Sequence, residues 1–463
     1  MPSYTRSYTF NRRYGGNASA TIRAVSRSDG TTQTLAPADF GPSTGGALTA
    51  ELTLPGGSHL LKIKDVGAPA SAETTATYAI NVGPRLVITG NSIFRTLWSG
   101  ESGWRGSPFP TSSPATGSQV NPRRHSLPGG GWWNISQTIQ ATQNSPVGTN
   151  EARIGPTISN VGGNGLARLG LVLQTLTSAT PGFEGAAIGD TTQADWLPGG
   201  SAWLSLMASL EAVDGIGNEF EAVFHALGHS ETLDSVMTSP ATFAAQVVAY
   251  RDAIRDYTEV ATPFFYMPIG AINHGQVGDV QCDAIRQAGW GLIDNASALL
   301  AASDIDLPLM DASHHNAANN EHVAYRMAQN YAKAFGFASN GAAGPKPSGG
   351  SCTAGSNRVV VTFDHDGGTN IGDSSGNTSA TGITGWDVTV GGAARNIVAA
   401  ACVAGALQID FDGDATIEGQ QVVPRCGYGK TPSITKWLYD NTSPQGDTLP
   451  APCQPRSVTV VAA

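Results

Sequence analysis

The stretch LVITGNSIFR, residues 86–95, places four apolar or β-branched residues directly before Gly90, Asn91 and Ser92. Such a run is typical of a buried strand, and Gly and Asn are typical of turns. A serine at this place either caps a helix or presents its hydroxyl above the carboxyl edge of a sheet, where a helix N-terminus faces the ligand. On these ten residues alone, the structural role is favoured.

The overall composition excludes several classes of protein. The chain has 463 residues, of which 26 are Lys or Arg and 36 are Asp or Glu, so its formal net charge is −10. Because only 13% of the residues are charged, no basic face is expected that could bind nucleic acid or anionic lipid. The sequence contains no apolar run of about 18 residues. We therefore expect no nucleic-acid partner and no membrane insertion.

The N-terminus and the polar residues predict where the protein acts. The first residues, MPSYTRSYTF, lack the apolar core of a secretion signal. With 57 glycines and many Ser, Thr, Asn and Ala residues, solubility comes from neutral polar groups, as in exported or virion-borne β-rich proteins. We expect an extracellular or virion-associated protein that is made in the cytoplasm and leaves it by assembly or release.

Hydrophobic patterning divides the chain into domains, and its length alone predicts roughly three of them. Residues 1–84 contain strand-like segments between Gly- and Pro-rich turns, which predicts an N-terminal immunoglobulin-like β-sandwich used for attachment. Residues 339–351 are rich in Gly, Pro and Ser and predict a linker. Residues 352–463 have strand periodicity without helices and predict a C-terminal β-sandwich.

The region between these parts, residues 85–338, alternates strands and helices. Its clearest predicted elements are an amphipathic helix, two buried strands and a closing helix, at residues 244–257, 264–272, 305–311 and 321–336. This order predicts a flavodoxin-like α/β/α domain with a parallel sheet, in which ligands bind at the carboxyl ends of the strands. Ser92 would then stand at the ligand-binding edge.

A second group of reactive side chains lies in MDASHHNAANNEHVAYRMAQNYAKAF, residues 310–335, where His314 follows Asp311 by three positions. A serine nucleophile needs a base within hydrogen-bond reach, and the base needs a carboxylate that fixes its tautomer. An Asp and a His in one loop meet this need without help from a distant strand. The spacing favours His314 as the base, and a shift by one residue, to His315, stays open.

Four sequence blocks occur in an order that resembles the SGNH (GDSL-like) hydrolase superfamily, in particular its sialate O-acetylesterase and acetylxylan esterase branch. The Gly-x-Ser at 90–92 is the first block, and the Asp-x-x-His at 311–314 is the last. Between them, AAIGDTTQADWLPG (186–199) is similar to a Gly-Gly-Thr-like turn before a Trp. AVFHALGHSETL (222–233) is similar to the block W-x-Q-G-E-S-D. Together the blocks predict an SGNH domain.

The resemblance implies a catalytic role for each matching residue. Ser92 is the expected nucleophile, and its backbone N–H is one oxyanion donor. Gly189 would give a second backbone N–H, and Ser230 stands in the place of an asparagine donor. His314 is the expected general base and acid, held by Asp311. Each preorganised donor of this kind can lower the barrier by about 3 kcal/mol.

Four further residues are candidates for contact with the substrate. His229 stands where the esterase branch has Glu, and it either contacts the substrate or packs as a polar residue. Trp196 belongs to the second block, whereas Trp132 and Trp133 lie in a region rich in Gly and Pro. Aromatic rings that stack on sugar faces would suit a polysaccharide cleft, and packing is the alternative for the adjacent pair.

The cysteines leave the redox state open. Four of the five, Cys352, Cys402, Cys426 and Cys453, fall in the C-terminal region, where they allow two disulfides in three pairings or remain free thiols. Because CxxC spacing is absent, no metal site is predicted. The segment that Cys426 and Cys453 bracket is similar to the one that closes many sialate O-acetylesterase-like chains, and a disulfide between these two is the preferred pairing.

The predicted function is that of a serine carbohydrate O-acetylesterase that uses no cofactor and removes acetyl groups from a polysaccharide or glycan. The domain order would suit a phage or phage-like fibre that deacetylates a bacterial surface. We then expect the N-terminal domain to bind other virion proteins and the chain to form a homo-oligomer. The alternative is a glycan-binding receptor with little turnover, because the hydroxyl of Ser230 is shorter than an asparagine side chain. A lipase or thioesterase is disfavoured because no long apolar entrance stretch is present.

Overall fold

The computed structural model describes most of the chain after residue 163 and selected segments before it. The described residues are 84–94, 164–177, 179, 181–211, 220–233, 235–258, 261–339, 343–353, 355–366, 368–413, 417–440 and 452–463, with the backbone of the strands before residue 83 and at 119–120, 133–134 and 151–153. None of the described helices is long and apolar enough to cross a membrane.

The N-terminal region contains antiparallel strands. The strands described there are β1 (Thr5–Arg13), β2 (Ala20–Ser26), β3 (Gln33–Thr34), β4 (Ala38–Asp39), β5 (Ala47–Pro55), β6 (Gly57–Asp65) and β7 (Ala79–Val82). Strand β1 pairs with β5, and a second sheet joins β2 to β3, β4 and β6 and joins β6 to β7. The side chains of this region lie outside the described residues, so the immunoglobulin-like sandwich stays a prediction.

The central region is built on a parallel sheet. Its strands are β8 (Arg85–Gly90), β9 (Gln119–Val120), β10 (Trp133–Asn134), β11 (Glu151–Arg153), β12 (Gly182–Ile188), β13 (Ala222–Ala226), β14 (Phe264–Met267) and β15 (Leu299–Leu300). Six of them run parallel, in the order β9-β12-β8-β13-β14-β15. The chain therefore crosses from one side of β8 to the other between β12 and β13, and such a switch point is where open α/β sheets bind ligands.

Helices cover both faces of this sheet. They are α1 (Asn164–Thr177), α2 (Ser201–Glu211), α3 (Pro240–Thr258), α4 (Asp279–Asp294) and α5 (Ala317–Ala334). Apolar side chains of α1 and α5 pack in one core cluster, and those of α2, α3 and α4 pack in a second cluster on the other face. Because both faces are covered, Leu86, Val87 and Ile88 of β8 are fully buried, as expected for a central parallel strand. The predicted α/β/α layers are confirmed.

The glycine that ends β8 is fixed by a close backbone contact. Gly90 has φ +151°, and a β-carbon at this position would overlap the carbonyl oxygen of Ala226, at the end of β13. Only a residue without a side chain lets β8 and β13 approach in this way. The strand therefore ends on Gly90 for a steric reason.

The C-terminal region is an all-β domain with its own core. Its strands are β16 (Lys346–Cys352), β17 (Arg358–Asp364), β18 (Ile371–Gly372), β19 (Trp386–Val390), β20 (Ala393–Arg395), β21 (Ile397–Val403), β22 (Ala406–Phe411), β23 (Gln421–Cys426), β24 (Tyr439–Asp440) and β25 (Val460–Val461). Two four-stranded antiparallel sheets, β16-β17-β22-β21 and β20-β19-β23-β25, contribute to one hydrophobic cluster, as in a β-sandwich. Strand β16 covers residues 346–351 of the segment predicted as a linker, so the linker prediction stays only for residues 339–345.

The prediction of a strand at residues 305–311 was wrong. The last parallel strand is β15, and the chain from Ala301 to Met310 is irregular although mostly buried. The apolar run is explained by another partner, because Ile305 packs in the hydrophobic cluster of the C-terminal domain. Pro308 also removes a backbone donor from this stretch.

We predict that Gly90→Ala lowers the free energy of unfolding by about 3 kcal/mol or more, because the added methyl group must displace β13 or strain the backbone. Gly199→Ala is the matched control. Gly199 also has a positive φ, +89°, but a β-carbon there meets no atom within 4 Å, so its expected loss is about 1 kcal/mol. Chemical denaturation of the two variants measures the difference, and equal losses would contradict the steric explanation.

Candidate active site

Ser92 follows β8 at the switch point of the sheet. The backbone N–H of Asn91 donates to the carbonyl of Ala226 at 3.1 Å, which ties this turn to the end of β13. The side chain of Asn91 is buried and accepts the N–H of Ile93 at 3.1 Å. Asn91 therefore caps the short helical turn that begins at Ser92, and the partly exposed Ser92 hydroxyl is not needed as the cap.

Asp311 and His314 form a hydrogen-bonded pair in the loop between β15 and α5. The ring Nδ1 of His314 lies 3.0 and 2.9 Å from the two carboxylate oxygens of Asp311. Oδ1 of Asp311 also accepts the backbone N–H groups of Ser313 and His314, each at 2.9 Å. Partial burial raises the pKa of Asp311, but these hydrogen bonds outweigh it and hold that pKa below its ordinary value. The ionised carboxylate fixes the proton of His314 on Nδ1 and leaves Nε2 as the basic nitrogen.

His315 has a different partner and is poorly placed to act as the base. Its Nε2 lies 2.9 Å from Oδ2 of Asp304, and its Nδ1 lies 3.1 Å from the carbonyl of Pro308. Both partners are acceptors, so the ring carries both protons. Burial lowers the pKa of His315, but Asp304 raises it further and leaves it above the ordinary value. The pair is a buried ion pair, and the shift to His315 that the sequence left open is disfavoured.

His229 lies in the loop after β13, directly before Ser230, and its ring nitrogens are buried. The pKa of His229 is lowered to about 4, mainly by burial; the charge of Asp304 opposes this effect, and those of His314 and His315 add to it. Both ring nitrogens of His229 are shielded from solvent without a hydrogen-bond partner among the described residues.

The two predicted oxyanion donors other than Ser92 also follow neighbouring strands. Gly189 comes directly after β12, which pairs with β8 on one side. Ser230 begins a short 3₁₀ helix, Ser230–Thr232, after β13 on the other side, and it is buried. Gly189, Ser92 and Ser230 therefore lie at the carboxyl ends of three adjacent parallel strands, which share one edge of the sheet.

A buried polar network beneath this edge was not predicted from the sequence. Thr89 Oγ1 lies 2.9 Å from Nδ1 of His225, and Nε2 of His225 lies 2.9 Å from Oε1 of Gln193. Burial lowers the pKa of His225 to about 3, so its ring is neutral. The backbone N–H of Gln193 in turn donates to the carboxylate of Glu231. The network joins the segments that carry Ser92, Gly189 and Ser230. In the sequence, its members are marked only by their positions, because each lies within three residues of a proposed site residue or within one of the four blocks that resemble the superfamily.

Comparison with solved structures matches the whole architecture. A carbohydrate acetylesterase from Xanthomonas citri aligns with a TM-score of 0.59 and 14% sequence identity, over 98% of this chain and 95% of that one. The chain shares the fold of that acetylesterase. The fold that the sequence resemblance implied is thus confirmed.

Two further matches are weaker. A carbohydrate acetylesterase from Sinorhizobium meliloti has a TM-score of 0.32 and 12% identity, over 55% of this chain and 100% of that one. A family two carbohydrate esterase from Clostridium thermocellum, in complex with cellohexaose, has a TM-score of 0.32 and 9% identity, over 72% and 90%. No protein-family model and no curated protein matches the chain.

Within the SGNH domain, the prediction that Trp196 contacts substrate was wrong. Its side chain is fully buried, its Nε1 donates to Oγ1 of Thr191 at 3.0 Å, and its ring packs edge-on against His225 and Tyr250. Trp196 is therefore a core residue. Trp132 and the side chain of Trp133 lie outside the described residues, so their predicted contact with sugar stays a prediction.

No disulfide is present among the described residues, so the predicted pairings are not supported, and the free thiols that the sequence left as the alternative are observed. All five cysteines are buried free thiols. Cys352 and Cys402 lie on β16 and β21, the two edges of a four-stranded sheet, so three strand spacings of about 4.8 Å separate them, well beyond disulfide reach. The thiols of Cys426 and Cys453 are in contact, and burial holds the pKa of Cys453 far above its ordinary value. A thiol that stays protonated is a poor nucleophile for disulfide exchange.

Glu231 is the most strongly perturbed acid of the site. It is fully buried, and burial raises its pKa from 4.5 to about 7, although the N–H of Gln193 lowers it. Its second carboxylate oxygen, Oε2, has no hydrogen-bond partner among the described residues. Folding therefore favours the protonated carboxyl group over the ionised one.

We predict a pH-dependent loss of stability that Glu231→Gln removes. Because the folded state raises the pKa, the contribution of Glu231 to stability is complete below about pH 4.5 and is lost as the pH rises to about 7. Relative to Glu231→Gln, the free energy of unfolding of the wild type should fall by about 3 kcal/mol between pH 4 and pH 8. Urea denaturation across this range measures it, and parallel curves for the two proteins would refute it.

Proposed function

We propose that the protein is a serine carbohydrate O-acetylesterase that removes acetyl groups from a polysaccharide or glycan. The observation that carries this proposal is the contact of both carboxylate oxygens of Asp311 with Nδ1 of His314, in a loop at the sheet edge where Ser92 stands. The fold shared with the Xanthomonas citri carbohydrate acetylesterase supports it. A carboxylate, an imidazole and a hydroxyl are the three groups that acyl transfer by a serine enzyme requires.

In the proposed reaction, the hydroxyl oxygen of Ser92 attacks the acetyl carbonyl while Nε2 of His314 accepts the hydroxyl proton. Asp311 stabilises the imidazolium that forms. The C–O bond to the sugar then breaks, and His314 returns the proton to the departing sugar hydroxyl. A water molecule, deprotonated by His314, then attacks the acetyl-enzyme; the bond to the Ser92 oxygen breaks, His314 returns the proton to that oxygen, and acetate leaves.

The oxyanion of each tetrahedral intermediate would be held by three donors, the backbone N–H groups of Ser92 and Gly189 and the hydroxyl of Ser230. The polar network beneath the edge supports this arrangement, because Glu231 ties Gln193, four residues after Gly189, to the 3₁₀ helix that begins with Ser230. Donors held in place before the reaction need no reorganisation when charge develops. The short Ser230 side chain is the donor expected to contribute least.

The substrate is proposed to be a neutral polar glycan. The chain carries a net charge of −10, which disfavours strongly anionic polymers unless a local patch offsets it. The predicted stacking of Trp132 and Trp133 on sugar rings would add a binding surface next to the site. We propose that the protein acts outside the cell on a bacterial surface polysaccharide, as part of a phage-like fibre. In this setting the N-terminal domain attaches the chain to the fibre, and the chain forms a homo-oligomer.

The proposal predicts that the purified protein hydrolyses p-nitrophenyl acetate and that Ser92→Ala lowers kcat by about 10³-fold or more, because the nucleophile is lost. Ser379→Ala is the matched control, since Ser379 is an exposed serine of the C-terminal domain, and it should keep wild-type activity. Acetate released from O-acetylated polysaccharides, measured by mass spectrometry, identifies the substrate class.

Equal rates for the wild type and Ser92→Ala would overturn the esterase proposal. Glycan binding that survives Ser92→Ala in a protein without turnover would instead favour the receptor function.

His229 is proposed to bind the substrate through a ring nitrogen. An imidazole without a partner gains a hydrogen bond when substrate binding shifts the loop after β13 and a sugar hydroxyl reaches the ring. We predict that His229→Ala raises KM for an acetylated oligosaccharide about tenfold with little change in kcat, and leaves p-nitrophenyl acetate hydrolysis unchanged. Because the pKa of His229 is about 4, the wild-type KM should stay constant between pH 5.5 and 8. Equal effects of the variant on both substrates would contradict this role.

A further inference from the structure

Arg286 of α4 joins the SGNH domain to the C-terminal domain through backbone carbonyls. The side chain is fully buried. Its Nε and Nη2 donate to the carbonyls of Ile269 and Gly270, at 3.1 and 2.7 Å. Its Nη1 donates to the carbonyls of Gly427 and Gly429, at 2.7 and 2.9 Å, in a turn of the C-terminal domain. One planar cation thus holds four carbonyl groups from two domains.

The same turn, residues 427–430, makes two more backbone contacts with the SGNH domain. The carbonyl of Lys430 accepts the N–H of Ile272 at 2.7 Å. The N–H of Lys430 donates to the carboxylate of Asp279 at 2.9 Å, at the first turn of α4. The segment after β14, residues 269–273, is therefore fixed from one side by Arg286 and by the turn at 427–430.

On its other side, the segment 269–273 contacts the loop that carries the Asp311–His314 pair. The N–H of Asn273 donates to the carbonyl of Ala312 at 2.7 Å. Gly270 packs so closely on the carboxylate of Asp304 that a β-carbon would overlap it, and Asp304 is the ion-pair partner of His315. Contacts on both sides of His314 thus depend on one short segment.

The loop at 308–315 needs such external contacts because little of it is buried around the pair. The side chain of Asp311 is 41% exposed. Within the loop, the N–H of Met310 donates to the carbonyl of His314 at 2.8 Å. Exposed hydrogen bonds open easily when nothing else restrains the backbone. A displacement of about 1 Å of a catalytic group can lower the rate of an enzyme by about 10²-fold.

We propose that the turn at 427–430 of the C-terminal domain positions the loop that carries Asp311 and His314, and that Arg286 is the positioning residue through which it acts. The contacts run from this turn to the segment 269–273 and from there to Ala312. The C-terminal domain is then part of the catalytic device and not only a module for attachment or substrate presentation. The effect on turnover rests on the proposed function, whereas the effect on the loop does not.

The test uses Asp279→Ala in the full chain, because Asp279 is exposed and its loss releases Lys430 without leaving a buried unpaired group. Asp279→Asn keeps an oxygen acceptor and serves as the conservative variant. Lys346→Ala is the matched control, since it removes a partly exposed ion pair between the same two domains, with Asp294, that does not contact residues 269–273. Arg286→Lys, which cannot reach four carbonyls, is the stronger variant if it folds.

Two measurements are made on each protein: amide hydrogen exchange at Asn273 and residues 309–316, and kcat and KM for p-nitrophenyl acetate. We expect Asp279→Ala to speed exchange at these amides about tenfold and to lower kcat about tenfold with KM unchanged. Asp279→Asn should recover most of both effects, and Lys346→Ala should show neither. Arg286→Lys should exceed Asp279→Ala in both.

Unchanged exchange at residues 309–316 in Asp279→Ala would overturn the positioning proposal, whatever its activity. Equal exchange in Asp279→Ala and Lys346→Ala would also overturn it. If the wild type shows no turnover, or if its turnover does not depend on Ser92, the proposed function is refuted. The exchange rates alone would then decide the positioning proposal.

Discussion

The close approach of Gly90 to the carbonyl of Ala226 is the constraint on which the rest of the site depends. It lets β8 and β13 end side by side at the switch point of the sheet. Asn91 can then donate to Ala226 and cap the turn, so that Ser92 stands next to the loop that carries His229 and Ser230. A side chain at position 90 would separate the two strands and move Ser92 away from that loop.

Buried polar groups then set the geometry of the loops along this edge. Glu231 and His225 connect the segments after β12 and β13, and the Asp304–His315 ion pair anchors the loop after β15. Such groups are costly to bury unless each finds its partner, so they favour one arrangement of the loops over others. The Asp311–His314 pair itself is more exposed, so burial restrains its loop little. In our proposal, the turn at 427–430 of the C-terminal domain restrains this loop instead.

Local signals in the sequence predicted much of this structure, and contacts between distant segments were missed. The Gly-Asn-Ser turn, the α/β alternation and the Asp311–His314 spacing depend on neighbouring residues, and each lies where it was expected. The apolar run at 305–311 showed burial but not that Ile305 packs against the C-terminal domain. Partners such as Asp304 and His315, or Arg286 and the turn at 427–430, are invisible to periodicity because the fold alone brings them together.

Labelling with a fluorophosphonate tests the central claim most directly, because this reagent bonds to a serine that a neighbouring base activates. The claim is that Ser92, His314 and Asp311 act as one unit at the switch point. Peptide mass spectrometry should find the label on Ser92 in the wild type, and His314→Ala should abolish it. Label on a different residue, or equal labelling of Ser92 in the wild type and His314→Ala, would contradict the account.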